Sequence, residues 1–427
     1  MKIYSAGNCA GLIARTFDER AKELAAVKEI LAAVRERGDE AVFAYEEKFD
    51  RTVLTRETFR VTEEEFAAAE RAVEPEFLVS LKKAIDNIYA YHVRVGRRDT
   101  VETKEGRTAG YVVGAVDRAG IYVPGGTAPL SSSVLMGVLP AKAAGVQHIV
   151  VVTPAKEGKV SPYTLAAAKA CGVTEVYKCG GAQAIAALAY GTESVPKADV
   201  IAGPGNIYVT LAKKEVYGQV GIDMLAGPSE ILIIADATAD PAYVAADVLS
   251  QAEHDVLARA IVVTTDASLA EKIAAEVETQ LKKLPRERIA RSSVENGGGI
   301  IVADTPEQAC DIANAIAPEH LELYVADPAA LLPLIRNAGA VFMGGYTPEP
   351  VGDYFAGPDH ILPTSGSAKF FQVLNEDVFT RKMSVISYTR EALRADGADI
   401  IRLAKSEGLD AHANAVAIRL KDMEENK

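Results

Sequence analysis

Cysteine is scarce in this 427-residue chain: Cys9, Cys171, Cys179 and Cys310 are its only four, widely separated and without a C-x-x-C pair. That pattern excludes a disulfide framework and a thiolate zinc site, so any metal here must take nitrogen and oxygen ligands. No apolar run reaches the roughly 18 residues of a spanning helix, and no cationic start followed by an apolar stretch opens the chain. Both absences point to a cytoplasmic protein without a membrane partner. Basic blocks are missing as well. With a net charge of -13 the chain repels phosphate backbones, which argues against a nucleic-acid partner. The dinucleotide fingerprint G-x-G-x-x-G occurs nowhere. Histidine is limited to six residues, few enough to weigh one by one.

What is present reads as a globular chain of 49% hydrophobic and 25% charged residues, long enough for two or three domains. The first 95 or so residues carry helical spacing, as in "FDERAKELAAVKEILAAVRERGDEAVFAYEEKF", with a capping box predicted from Thr62 to Glu65. From about residue 110, β-branched runs ("GIYV", "HIVVV", "EVYKC", "ADVIA", "EILIIAD", "RAIVVTT", "GIIVAD", "AVFMGG") alternate with Ala-rich helices. Such alternation means βαβ units and parallel sheets, an α/β fold. Four strands run into glycine corners, at 123–126, 179–183, 202–206 and 226–230. They are either tight turns or places where backbone approaches a nucleotide beyond the carboxyl ends of strands. The stretch 346–381 is a long Pro- and Gly-containing loop, a form that is usually functional, and the last forty residues return to helix.

Candidate chemistry gathers around four histidines. "LSQAEHD" ends a helix that Asp240 should cap and Pro241 should open; its Gln251 and His254 lie three apart on one face. They form either a solvated helix end or half of a nitrogen and oxygen metal site. Glu319 and His320 are adjacent at a helix-to-strand junction, either a proton-transfer pair or a surface acid beside a buried imidazole. Asp353 and His360 stand in the long loop, Glu407 and His412 near the start of the last helix. His92 and His148 lack a carboxylate setting of this kind. Cys179, in its corner, is either a packed, inert thiol or a nucleophile able to hold an aldehyde.

In order and spacing, "RAGIYVPGG", "GGAQAIAALAYGTESVPKADVIAGPGN", "IDMLAGPSEILIIADATADPAYVAADVLSQAEH", "APEHL", "GDYFAGPDHILPT" and "GLDAHANAV" resemble the histidinol dehydrogenase family over nearly the whole chain. The resemblance implies a zinc-dependent, four-electron oxidation of L-histidinol to L-histidine via L-histidinal with two NAD. It implies an intertwined homodimer of two incomplete Rossmann-like domains with small helical terminal ones. Residues 17–121 with 230–373 would carry the metal and catalytic groups and 122–229 would bind NAD. Residues 1–16 with 374–400 would form a small domain, and 401–427 a tail reaching the partner's site. Zinc would be held by Gln251, His254, Asp353 and His412, the last from the partner subunit. Glu319 and His320 match the catalytic pair; Tyr122, Gln183 and Asn206 match NAD contacts. Ser229, His360 and Glu407 match substrate contacts, where the metal ligands and the catalytic pair also meet the substrate. Residues 367–385 depart from the family pattern without carrying a ligand. The alternatives are a related zinc and NAD dehydrogenase for another amino alcohol, or a non-catalytic, metal-stabilised binding protein.

Overall fold

A computed structural model describes residues 1–14, 20–125 and 130–425. Gly126 of the first glycine corner and residues 17–19 of the first helical stretch lie outside them. The chain divides into two compact units, residues 1–95 with 116–379 and residues 96–115 with 380–427.

The first unit holds two sheets, and every strand pairing in both is parallel. The larger has six strands in the order Ile3–Ser5, Gly299–Val302, Arg259–Thr264, Glu230–Ala235, His320–Tyr324, Ala340–Met343. The smaller has five, in the order Glu175–Lys178, His148–Thr153, Arg118–Tyr122, Val200–Ala202, Gly221–Ile222. Helices cover both faces of the larger sheet. Ile231, Ile233, Val262 and Ile300 pack into one layer and Leu232, Ile234, Ile261 and Ile301 into the other. Burial on both sides is why these strands read as unbroken apolar runs. On one face of the smaller sheet, helix Ala21–Arg37 presses Val27, Ile30, Leu31 and Val34 into a core shared with Ile185, Leu188 and Leu211.

Local signals behave as their chemistry demands. Thr62 accepts from the Glu65 amide at 3.2 Å and the Glu65 carboxylate accepts from the Thr62 amide at 2.9 Å, closing the capping box. Asp240 caps helix Pro241–Ala252 through the Ala242 amide at 2.8 Å.

Ile3–Ser5 is the edge strand of the six-stranded sheet, in register with Ile300–Val302. In the second unit, Thr380–Tyr388 pairs antiparallel with Arg107–Ala115, which pairs with Thr100–Lys104. A hairpin of this kind turns at Glu105 and Gly106, both at positive φ, +50° and +74°. That is the backbone of a type I′ turn, here built without the usual Asn-Gly or Asp-Gly. Helices Arg390–Ser406 and Asp410–Glu425 complete the unit, with Gly397 leaving room for Leu420 and Arg107 gripping Asp396 through two bonds of 2.6 and 2.7 Å. No described helix is long and apolar enough to cross a membrane.

Candidate active site

A cleft of about 570 Å³ in the first unit is lined by two kinds of loop. One kind follows the carboxyl ends of the smaller sheet's strands and supplies Pro124, Pro204, Gly205 and Asn206. The other lies at the amino ends of the larger sheet's strands and supplies Ser229, Glu319 and His320, ahead of Glu230–Ala235 or opening His320–Tyr324. Binding beyond strand carboxyl ends, the rule for open parallel sheets, thus holds for only one wall. Helix Pro241–Ala252 runs back antiparallel to its strand and so ends on the amino-end wall, delivering His254 to the cleft.

Glu319 and His320 are both buried, 6% and 4% exposed, so the surface-acid alternative fails. The Glu319 carboxylate accepts from the Glu230 amide at 2.8 Å. Burial pushes its carboxyl up to about 8, against the lowering effect of His320. The His320 Nδ1 lies 3.1 Å from the Glu230 carbonyl oxygen and its Nε2 has no hydrogen-bond partner. Burial alone would lower this imidazole, but Glu349, Glu319 and Asp353 outweigh it and raise the pKa well above the ordinary value.

The helix Glu349–Tyr354, inside the predicted loop, brings in the expected Asp353 together with an acid that sequence did not single out, Glu349. Glu349 sets Oε1 3.7 Å from His320 Nδ1, while Asp353 sets Oδ1 3.7 Å from Nε2. Glu349 is anchored in turn: its amide donates to Glu322 at 3.0 Å and Ser250 donates to its carboxylate at 3.2 Å. Burial raises Glu349 to about 7 and Glu322 well above its usual range. The site is therefore a buried cluster of acids around one imidazole, an environment that favours a cation. Donor atoms of His320, Glu349 and Asp353 lie within 4.8 Å of one another.

Gln251 is completely buried, and neither its oxygen nor its nitrogen has a partner. His254 is exposed on the cleft wall. His360 is half-buried and reaches Ser132 Oγ at 3.1 Å; burial lowers its pKa, with Asp353 pulling the other way. Ser229 lines the cleft and its carbonyl accepts from Arg259 at 3.0 Å. Glu407 and His412 belong to the second unit, at the end of helix Arg390–Ser406 and inside Asp410–Glu425, and both are exposed in the single chain.

Of the residues expected at NAD, Asn206 lines the cleft and caps helix Ile207–Val216, accepting from Tyr208 at 3.0 Å and Val209 at 3.2 Å. Tyr122 and Gln183 are buried, 3% and 2% exposed, and are not among the residues that line the cleft. Tyr122 OH accepts from the Gly181 amide at 3.2 Å; Gln183 donates to Glu46 at 2.8 Å. Gly203, at φ +122°, fits only as glycine, since an added Cβ would lie 2.1 Å from the Tyr122 carbonyl oxygen. Cys179 is fully buried, and burial with Glu46, Asp39 and Asp50 nearby raises its thiol well above the ordinary value, which favours the inert alternative.

Outside the cleft, His92 is buried against Glu376 at 3.1 Å, and His148 stands exposed at the head of its strand.

A sequence profile described as histidinol dehydrogenase matches residues 14–420. The chain is 52% identical over 399 residues to histidinol dehydrogenase of Bacillus cereus strain ATCC 10987, covering 93% of this chain and 92% of that one. It superposes on the crystal structure of histidinol dehydrogenase from Elizabethkingia anophelis with a TM-score of 0.95 at 38% identity, covering 99% of both chains. An acetylating aldehyde dehydrogenase from Geobacillus thermoglucosidasius reaches a TM-score of 0.51 at 13% identity, over 88% of this chain and 98% of that one, a likeness of fold alone. The chain belongs to the histidinol dehydrogenase family, NAD-dependent oxidoreductases that carry out the final oxidation of histidine biosynthesis.

Proposed function

We propose that the chain, as a cytoplasmic homodimer, converts L-histidinol to L-histidine through L-histidinal, reducing one NAD in each of two steps and using a zinc ion. The supporting observation is the buried Glu319–His320 pair on the cleft wall, with His320 Nε2 left without a partner. In the first step an alcohol loses a hydride and a proton; His320 Nε2 receives the proton, being neutral once a cation in place of a proton lies between it and Asp353. In the second, water adds to the aldehyde and the hydrate loses a hydride. The Glu319 carboxylate, held in place by the Glu230 amide, takes the water proton. Acids around the cleft suit the ammonium group of an amino alcohol.

The residues fit a metal. Gln251 carries a buried oxygen without a partner, a feature that calls for a ligand, and with the His254 nitrogen and the Asp353 carboxylate it makes a nitrogen and oxygen donor set suited to zinc. His412 of a second copy of the chain would complete it, with Glu407 beside it meeting the substrate and His360 and Ser229 lining the same pocket. Zinc there would grip the substrate and fix the reacting carbon by orientation. Tyr122, Gln183 and Asn206 would receive NAD at the glycine corners. A second assignment of the metal has its own support, the close donor atoms of His320, Glu349 and Asp353.

The test is the absorbance of NADH formed from limiting L-histidinol with excess NAD and zinc. About two NADH per histidinol are expected, because an alcohol becomes an acid. One NADH per histidinol with free aldehyde accumulating would overturn the two-step reading, and turnover on another amino alcohol in its place would move the substrate.

A further inference from the structure

Behind the corner at residues 179–183 stands an acid that takes no part in the proposed chemistry. Helix Asp39–Asp50 turns Ala41, Val42, Tyr45 and Glu46 inward, so a carboxyl shares the face of three apolar side chains and is fully buried. Burying it there is costly unless its oxygens are used. One is: Glu46 Oε1 accepts from the Gly180 amide at 2.9 Å and from Gln183 Nε2 at 2.8 Å. Glu46 Oε2 and Gln183 Oε1 have no partner.

This arrangement decides which end of a carboxamide is presented. The oxygen and nitrogen of a glutamine are nearly the same size, and half a turn about the last side-chain bond exchanges them; the partner alone selects. Here the Gly180 amide, fixed in the backbone, keeps Glu46 Oε1 an acceptor. Gln183 must then point its NH₂ at Glu46 and its oxygen away. Burial raises the Glu46 carboxyl to about 8, and because two N–H groups already donate to Oε1, a proton taken up there would go to Oε2 and leave Oε1 accepting.

We infer that Glu46 is a positioning residue for the cofactor: it holds the Gln183 carboxamide so that only an acceptor is offered, and the cofactor group received there is a hydrogen-bond donor, a hydroxyl or an amide NH₂, rather than a phosphate oxygen. The inference rests on the reading of Gln183 as an NAD contact. Tyr122 fits the same picture, because its hydroxyl oxygen already accepts from the Gly181 amide and is left to donate.

The experiment is steady-state kinetics of the zinc-loaded enzyme at pH 7.5 with Glu46→Leu, Glu46→Gln, Gln183→Leu, Gln183→Glu and the double variant Glu46→Leu/Gln183→Leu. Gln183→Leu should raise KM for NAD about tenfold with KM for histidinol little changed. Glu46→Leu should raise it comparably, Glu46→Gln should recover most of that loss, and the double variant should be no worse than Gln183→Leu alone. Gln183→Glu, with its buried inner oxygen protonated to donate to Glu46 Oε1 in place of the NH₂, keeps the outward oxygen accepting and should recover most of what Gln183→Leu loses. It reports on the acceptor even if Glu46→Leu does not fold. An unchanged KM for NAD in Gln183→Leu overturns the NAD reading of that residue. A loss in Gln183→Leu, with Glu46→Leu either silent or additive in the double variant, overturns the role of Glu46 and leaves the NAD reading standing. Gln183→Glu behaving like Gln183→Leu overturns the acceptor.

Discussion

His320 and Asp353 face each other across 3.7 Å, from Nε2 to Oδ1, although one opens a buried strand and the other lies in a six-residue helix of the long loop. With Nδ1 engaged by the Glu230 carbonyl oxygen at 3.1 Å, a neutral imidazole would turn a lone pair toward the carboxylate. Two acceptors so placed need a proton or a cation between them. The raised pKa of His320 and the lowered one of Asp353, where the imidazole outweighs burial, are the protonated solution.

Replacing the two groups proposed to transfer protons should stop chemistry without emptying the site. Glu319→Gln and His320→Asn are expected to lower kcat by about 10²- to 10⁴-fold, with substrate still binding by calorimetry. Wild-type turnover in both would remove the pair from the mechanism.

Metal content separates the two donor sets. Asp353→Ala should lose zinc by elemental analysis, since Asp353 belongs to both. His320→Asn and Glu349→Gln should keep it if Gln251 and His254 are the ligands, and zinc lost from both variants would favour the triad of His320, Glu349 and Asp353 instead.

Cys179→Ser should retain most of the wild-type rate, because a fully buried thiol beside acids has no thiolate to offer. A variant that makes histidinal but never oxidises it would restore the thiohemiacetal route.

Sharing of sites between subunits is testable by mixing. His412→Ala and His320→Ala, each inactive alone, are unfolded together and refolded. Random pairing makes about half the dimers mixed, each with one intact site, so roughly a quarter of wild-type activity should return. With subunit exchange confirmed by mass tagging, a mixture that stays inactive would mean that His412 serves its own chain.

The buried His92 gives a pH signature in stability. Its folded pKa is lowered, chiefly by burial, with Glu376 acting in the opposite direction. As pH falls through the unfolded value of 6.5, the unfolded chain takes up a proton that folded His92 resists, so stability is full above that pH and declines below it. The thermal midpoint of the wild type should drop more between pH 7.5 and 5.5 than that of His92→Asn. Parallel slopes would contradict the assignment.

Sequence alone determined the parallel α/β class, because strands covered on both faces must be continuous β-branched runs and their crossovers must be helices. It also determined the caps at Thr62 and Asp240, which depend on neighbours three residues away or fewer, and it marked Glu319, His320, Gln251, His254 and Asp353 as candidates. Only the tertiary structure decided which wall of the larger sheet faces the cleft. Periodicity shows which side of a strand is buried, never which end meets a ligand. Ile3–Ser5 and the antiparallel pairing of Thr380–Tyr388 with Arg107–Ala115 were illegible for a related reason. Their partners lie far along the chain, while the hairpin of Thr100–Lys104 with Arg107–Ala115 hides behind a turn without the usual residues. Glu349, Glu230 and Glu46 look in sequence like any of the 59 acidic residues. What distinguishes them is burial and a partner brought in from a distant segment, and both are properties of the packed molecule.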